Sequence, residues 1–189
     1  MERDDRKLIE AFRAGEYAAF DILYKRYAPR VLAFAFQITN NASEAEDLTQ
    51  EVFIGAFKGL HRFRDQATIL TWLFSITLRR WRDKQRTSRP QTISYQSDDF
   101  TDGRSDFHPA QSTTLRRSEE LVDLQDAIAL LTSPLREAIV LVVVQERTYR
   151  EAAAIIGCPV GTLKSRVAAA IQQIRAQIQE VNHVVCVLP

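Results

Sequence analysis

Cysteine is scarce in this chain. Cys158 and Cys186 are too few for a disulfide framework or a zinc site, so both are expected as reduced thiols. No run of about 18 apolar residues occurs, which argues against a membrane-spanning helix. The opening stretch MERDDRKLIEAFRAG is charged and lacks the apolar core of a secretory signal. A cytoplasmic chain without membrane insertion is the expectation. No segment sustains two-residue alternation, so no sheet is predicted. His61, His108 and His183 share no motif, and nucleophile elbows, phosphate loops and metal-ligand spacings are missing. No catalytic residue, metal site or cofactor is therefore expected, and the chain is read as a non-enzyme.

What is present is an uneven charge. The net charge is only +1, yet residues 58–90 hold 9 Lys/Arg against 2 Asp/Glu, while residues 1–57 hold 7 against 10 and residues 119–189 hold 6 against 8. One segment, KGLHRFRDQATILTWLFSITLRRWRDKQRTSRP, thus carries the positive block, and a stripe that basic is a footprint for phosphate. Phe63, Trp72, Phe74 and Trp81 lie within it. Basic groups interleaved with stacking groups suit single-stranded or melted nucleic acid. A solvated helix face would account for the charge alone but not for the aromatics.

Helical periodicity dominates. Phe20, Leu23, Tyr24, Tyr27, Val31, Phe34, Ala35 and Ile38 recur every three or four residues, the stripe of one amphipathic helix. Pro29 lies inside it and predicts a bend or a boundary near Tyr27–Pro29. Asn41 followed by Glu44 resembles a capping box, so a second helix should start at about Ala42 and run to about Leu60. That helix would bury Leu48, Val52, Phe53, Ala56 and Phe57. A third should begin near Thr71 and carry Trp72, Leu73, Ile76 and Trp81. The run VLVVV at Val140–Val144 reads as a fully buried helix. The expected fold is all-α.

Between Pro90 and Leu115 the period stops, and a polar stretch of that length reads as a flexible linker. Two small domains follow, 1–92 and 117–180, with a linker at 93–116 and a tail at 181–189. In the second, Ser133 then Pro134 read as N-cap and first helical position. Thr148 with Glu151 is a capping box, Gly157 a helix end, and Pro159 the start of a helix to about Gln179. Short helix, glycine turn, longer helix is the helix-turn-helix arrangement. Ala152, Ala153 and Ala154 are expected at the crossing of its helices, sealed by Ile156 and Leu163. The first turns of the second helix hold Val160, Gly161, Thr162, Lys164, Ser165 and Arg166, a mixture suited to a major groove and its phosphates. A plain helical hairpin would give similar punctuation.

The string YREAAAIIGCPVGTLKSRV resembles region 4.2 of extracytoplasmic-function (group IV) sigma factors, which are sigma-70 family subunits of RNA polymerase. FDILYKRYAPRVLAFAF followed by NNASEAEDLTQEVFIGAFKGLHRF is similar to their regions 2.1 and 2.2, and TWLFSITLRRWRDKQR to regions 2.3 and 2.4. Three blocks stand in the family's order. The resemblance implies a region 2 helical bundle and a region 4 helix-turn-helix joined by a flexible linker. It also implies a factor that binds core polymerase and directs it to promoters. On that analogy Asp47, Leu48, Gln50, Glu51 and Phe53 would dock on the β′ clamp helices, with the β flap as the second polymerase contact. Periodicity alone also allows Leu48 and Phe53 to be core. Arg64, Thr71, Trp72, Arg79, Arg80, Arg82, Lys84 and Arg86 would serve the −10 element. A loop at about Arg64–Leu70 would capture a base flipped from the non-template strand, with Trp72 beneath it. Arg150, Val160, Gly161, Thr162, Lys164, Ser165 and Arg166 would meet the −35 element. An anti-sigma factor is an expected partner by the same analogy, beside core polymerase and promoter DNA.

Two positions depart from the family. Arg79 stands where relatives usually carry Asn, which implies an altered −10 preference. Ala168, Ala169 and Ala170 stand where the recognition helix usually continues with Arg or Lys, which implies either a weaker −35 grip or an unusual sequence preference. The competing readings are a stand-alone helix-turn-helix regulator and a helical adaptor without DNA binding. The regulator has no need of EDLTQEVF or of the basic aromatic block, and the adaptor has no need of Lys164, Ser165 and Arg166.

Overall fold

The computed structural model describes residues 3–64, 67–87 and 124–185, with side chains to residue 177. Among these residues all regular structure is helical. The expected linker at 93–116 and residues 186–189 of the expected tail lie outside them, while residues 181–185 continue the last helix, so the helix end expected near Gln179 is corrected. Four helices, α1 (Arg3–Arg13), α2 (Ala18–Thr39), α3 (Ala42–Gly59) and α4 (Ile69–Thr87), form the first bundle. The second module holds α5 (Leu124–Ala129), α6 (Ser133–Ile139), a π-helical turn at Val140–Val144, α7 (Tyr149–Ile156) and α8 (Val160–Val185).

Helix α1 has no counterpart in the periodicity reading. It is held by the buried apolar pair Ile9 and Phe12 and by Asp5, whose carboxylate accepts from Tyr27 Oη at 2.5 Å and Arg26 Nη1 at 2.6 Å. Helix α2 continues through Pro29 as one element, so the boundary alternative is corrected. Pro29 faces solvent, where water can satisfy the carbonyl its ring leaves free. Of the stripe predicted for α2, Leu23, Tyr27, Val31, Phe34, Ala35 and Ile38 are buried, but Phe20 is half-buried and Tyr24 is exposed, because that end of the stripe opens onto a surface groove. Asn40 then turns left-handed and ends the helix.

The N-cap of α3 is Asn41, whose side chain accepts from Glu44 N at 3.0 Å. Only that half of the box forms, because Asn41 N turns to Thr39 Oγ1 instead. Leu48, Val52, Phe53 and Ala56 are buried as expected, but Phe57 is 41% exposed. Its ring sits at the edge of a cluster with Phe12, Tyr17 and Phe20, open on one side to solvent. Helix α4 starts two residues before the predicted Thr71, with Thr68 Oγ1 accepting from Thr71 N at 3.2 Å.

In the second module the N-cap of α6 is Thr132 rather than Ser133, a one-residue shift that keeps Pro134 in the first turn. The VLVVV run is helical, but only Val140 and Leu141 are buried; Val143 is 53% exposed, because the π turn swings its later residues off the core. At α7 the predicted box is complete. Thr148 Oγ1 accepts from Glu151 N, and the Glu151 carboxylate accepts from Thr148 N at 3.0 Å. Gly157 has φ +79°, a backbone that L side chains rarely adopt, and it lets the chain turn into α8. The axes of α7 and α8 meet at 99°, the helix-turn-helix geometry. Ala152 and Ala153 are buried at that crossing, but Ala154 is not; it points at the first bundle. No single helix among the described residues is long and apolar enough to cross a membrane.

Candidate polymerase and nucleic-acid interfaces

Helices α2 and α3 leave an open apolar groove of about 440 Å³ between Phe20, Tyr24, Phe53, Ile54 and Phe57, with Gln50 and Lys58 at its rim. Ile54 is 57% exposed and Tyr24, Tyr17 and Phe57 are also exposed. Contiguous exposed apolar surface marks an interaction site. The docking residues expected from sequence divide around it. Asp47 and Gln50 are exposed on α3, whereas Leu48 and Phe53 are buried and belong to the core, Phe53 also forming the groove floor. Glu51 is half-buried and pairs with Lys84 on α4 at 2.8 Å, which joins a residue expected at the polymerase to one expected at DNA. Sequence reasoning missed Phe20, Tyr24, Ile54 and Phe57 as surface groups. Ile54 lies outside the expected buried set, and that was the available signal.

A second groove, of about 330 Å³, opens in front of Trp72. Arg62, Arg64 and Thr71 stand on its walls, and Ala154 and Ile155 of α7 close its far side. Trp72 is held against Phe63, ring centroids 5.1 Å apart, and its ring lies over Gly59, where a Cβ would come within 3.3 Å of Cζ2. Thr71 is buried, its hydroxyl 2.8 Å from that of Thr68. Trp81 is core. Arg64, Arg79, Arg80 and Arg86 are exposed and available to phosphate; Arg80 crosses Gly55 on α3. Arg82 is differently placed. Its Nε donates to Glu137 Oε1 at 3.0 Å, its Nη2 to Glu137 Oε2, and its Nη1 to the Ile156 carbonyl at 3.1 Å. The Glu137 hydrogen bonds raise the pKa of Arg82 above the ordinary guanidinium value.

On the helix-turn-helix, Arg150, Val160, Gly161, Lys164 and Ser165 are exposed, with Thr162 and Arg166 half-buried. Lys164 lies against Tyr149 of α7, its ammonium 5.9 Å from the ring centroid. Hydrogen bonds from the Thr148 hydroxyl and backbone N–H hold Glu151 below the usual glutamate pKa. The first helix of the motif is thereby fixed by its cap.

Two family profiles match the chain, Sigma-70 region 2 over residues 23–90 and Sigma-70, region 4 over residues 121–174. The chain belongs to the sigma-70 family. This sigma factor is 29% identical over 184 residues to the RNA polymerase sigma-H factor of Pseudomonas aeruginosa, covering 94% of this chain and 95% of that one. It is 29% identical over 181 residues to the ECF RNA polymerase sigma-E factor of Escherichia coli, covering 93% and 94%. Among solved structures it resembles the sigma factor RpoE from Bartonella quintana, crystallised with the anti-sigma factor NepR, at 29% identity and a TM-score of 0.62 over 87% of this chain and 97% of that one. The fold also matches CnrH, solved in complex with the cytosolic domain of CnrY, at 21% identity and a TM-score of 0.66 over 94% and 98%. Both expected regions of the sigma factor are thus present, in order, on two helical modules. The family is regulatory rather than catalytic.

Proposed function

We propose that this sigma factor binds core RNA polymerase in the cytoplasm through the α2–α3 groove and directs it to promoters. The groove is the observation that carries the docking site. A stand-alone DNA-binding regulator gains nothing from exposing Ile54, Tyr24 and Phe57, whereas a polymerase subunit needs an apolar anchor rimmed by acid and amide groups. Asp47, Gln50 and Glu51 supply that rim for a basic helical partner such as the β′ clamp helices, and the second module would reach the β flap. Asp47 is exposed and is not needed for packing, which supports a role outward.

In the initiation complex the −10 strand would lie along α4. Trp72 and Thr71 would floor the base site, Arg64 would stand at its mouth, and Arg79, Arg80, Arg82, Lys84 and Arg86 would neutralise phosphates. Unstacking a base costs a few kcal/mol. Stacking, pocket contacts and counterion release offset it. The recognition helix would bring Val160, Gly161, Thr162, Lys164, Ser165 and Arg166, with Arg150 beside them, to the −35 element. An anti-sigma factor is the partner this reading expects to restrain the protein, by covering the same apolar groove.

The test is in vitro transcription with core polymerase and the promoter of the protein's own operon. Asp47→Ala with Ile54→Asp should abolish core-dependent initiation while leaving DNA binding by the isolated chain within about twofold. DNA binding with no core-dependent start, for the wild type, would replace this reading with the stand-alone regulator.

A further inference from the structure

We propose that Gly55 of α3 is a positioning residue for strand binding: by presenting bare backbone it seats the Arg80 guanidinium across α3, so that Arg80 meets a phosphate already ordered. The inference rests on the reading of α4 as the helix that carries the −10 strand.

Helices α3 and α4 lie side by side, and two successive turns of each are matched. Glu51 on α3 pairs with Lys84 on α4 at 2.8 Å. One turn on along α3, Gly55 stands opposite Arg80, one turn back along α4. A Cβ at Gly55 would come within 3.3 Å of Arg80 Nη2 and 4.0 Å of Arg80 Nε, with Ile76 Cγ2 at 3.9 Å. All three are side-chain atoms of α4, so the room at Gly55 is taken by the guanidinium and not by the backbone of a crossing helix.

Nothing in the backbone requires glycine at this position. Among the described residues the glycines with positive φ are Gly15 and Gly157, and Gly55 is not one of them. Within a helix, glycine is less favourable than alanine. The missing side chain is therefore a local cost to α3, and what it provides is a flat seat for a planar group.

The seat orders Arg80 without consuming its charge. Arg82 gives its fork to Glu137 and Lys84 its ammonium to Glu51, but among the described residues no carboxylate pairs with Arg80. A freely rotating arginine loses rotamer freedom when it binds, and that loss weakens binding. An arginine already laid across α3 loses less, and its donors remain for a phosphate.

The experiment uses holoenzyme assembled from core polymerase and the full chain. The probe is a fluorescein-labelled duplex of the protein's own operon promoter, premelted by mismatches over the −10 element. Affinity is read by anisotropy across a sodium chloride series. Gly55→Ala should weaken binding about threefold with the salt slope unchanged, because Arg80 still reaches its phosphate. Arg80→Ala should weaken binding further and lower the slope by about 0.7–1. Adding Gly55→Ala to Arg80→Ala should then change nothing. Arg80→Lys keeps the charge without the planar fork, and should bind about threefold more weakly than wild type. Alanine favours a helix, so the melting temperature of Gly55→Ala should hold. Should it fall, Arg80→Lys, which leaves α3 untouched, decides alone, and binding equal to wild type overturns the seat. Gly55→Ala that binds as wild type does, or that loses the same factor with and without Arg80, also overturns the seat. A lowered salt slope for Arg80→Ala in that case leaves the −10 reading standing. A wild-type holoenzyme that holds the duplex no better than core polymerase alone removes the strand reading, and the role of the seat with it.

Discussion

Among the described residues, the long-range bonds that side chains of the α1–α4 bundle donate stay inside the bundle, except those of Arg82. Asp5 ties α1 to Arg26 and Tyr27 of α2, Arg13 donates to the Phe63 carbonyl, and Lys84 of α4 pairs with Glu51 of α3. In the α5–α8 module the side-chain bonds are either local or leave the module altogether. Arg136 gathers the carbonyls of Ile128, Ala129 and Leu131, and Thr148 and Glu151 cap each other. Arg136, Gln145 and Glu137 then reach the first bundle. Among the described residues the contrast is consistent. The first module is braced as a scaffold that can present a groove and a basic helix at fixed distances. The second has a complete capping box at α7, packs on a small core, and is fastened by polar bonds that water or DNA can replace.

The sharpest way to break this comparison is to damage the scaffold. Phe34 is fully buried, with its ring centroid 4.3 Å from that of Phe74, so Phe34→Ala should cost the first module about 3–5 kcal/mol. Calorimetry should then show two transitions, the first much lowered and the second close to its own unassisted position. One common transition, lowered as a whole, would mean that the second module has no stability of its own. Removing a brace is milder. Asp5→Ala removes the carboxylate that accepts from Tyr27 Oη and from Arg26, at a cost of about 1–3 kcal/mol. The loss should appear in the first transition and leave strand affinity unchanged. A loss confined to the second would contradict the assignment of the brace.

The same contrast explains what the sequence could reveal. Local signals were strong: the Asn41 and Thr148 caps, the Gly157 turn and the stripe of α2 each follow from side-chain chemistry within a few residues. Phe57 and Ala154 were misplaced because a helical period fixes only which residues share a face. Whether that face meets another helix depends on partners distant in the chain. Phe57 lies at the rim because α1 and α2 end their cover there, and Ala154 turns to α4 because Arg82 and Glu137 bring α7 to it. Helix α1 escaped notice because its apolar residues are few among charges and its anchor, Asp5, is polar. The Sigma-70 resemblance pointed to Arg82 as a DNA contact. Its pairing with Glu137, 55 residues away across a polar stretch, has no local signature.

Two glycines of the helix-turn-helix sharpen the comparison further. A Cβ at Gly157 or Gly161 would meet nothing within 4 Å, so crowding cannot separate them. Gly157 has φ +79° and Gly161 lies in the first turn of α8. Gly157→Ala should therefore destabilise the second module by about 1–2 kcal/mol, whereas Gly161→Ala should be neutral or stabilising by up to about 1 kcal/mol. Urea denaturation of each variant measures the difference. If Gly161→Ala also weakens −35 DNA, that position approaches the groove closely enough for a methyl to matter.

The smallest expected effect concerns the cap itself, and it carries a pH signature. Glu151 accepts from the Thr148 hydroxyl and the Thr148 backbone N–H, and these bonds lower its pKa in the folded protein. A carboxylate depressed on folding contributes stability above its unfolded pKa of about 4.3, and that contribution is lost as pH falls through the folded value. Thr148→Ala should cost about 1 kcal/mol at neutral pH. At a pH low enough to protonate Glu151 the cost should shrink, because the hydroxyl then meets a neutral acid while its bond from Glu151 N remains. Urea denaturation at both pH values decides it. An equal cost at the two would assign the cap to the backbone bond alone, and α7 would then be no more acid-sensitive than an uncharged helix.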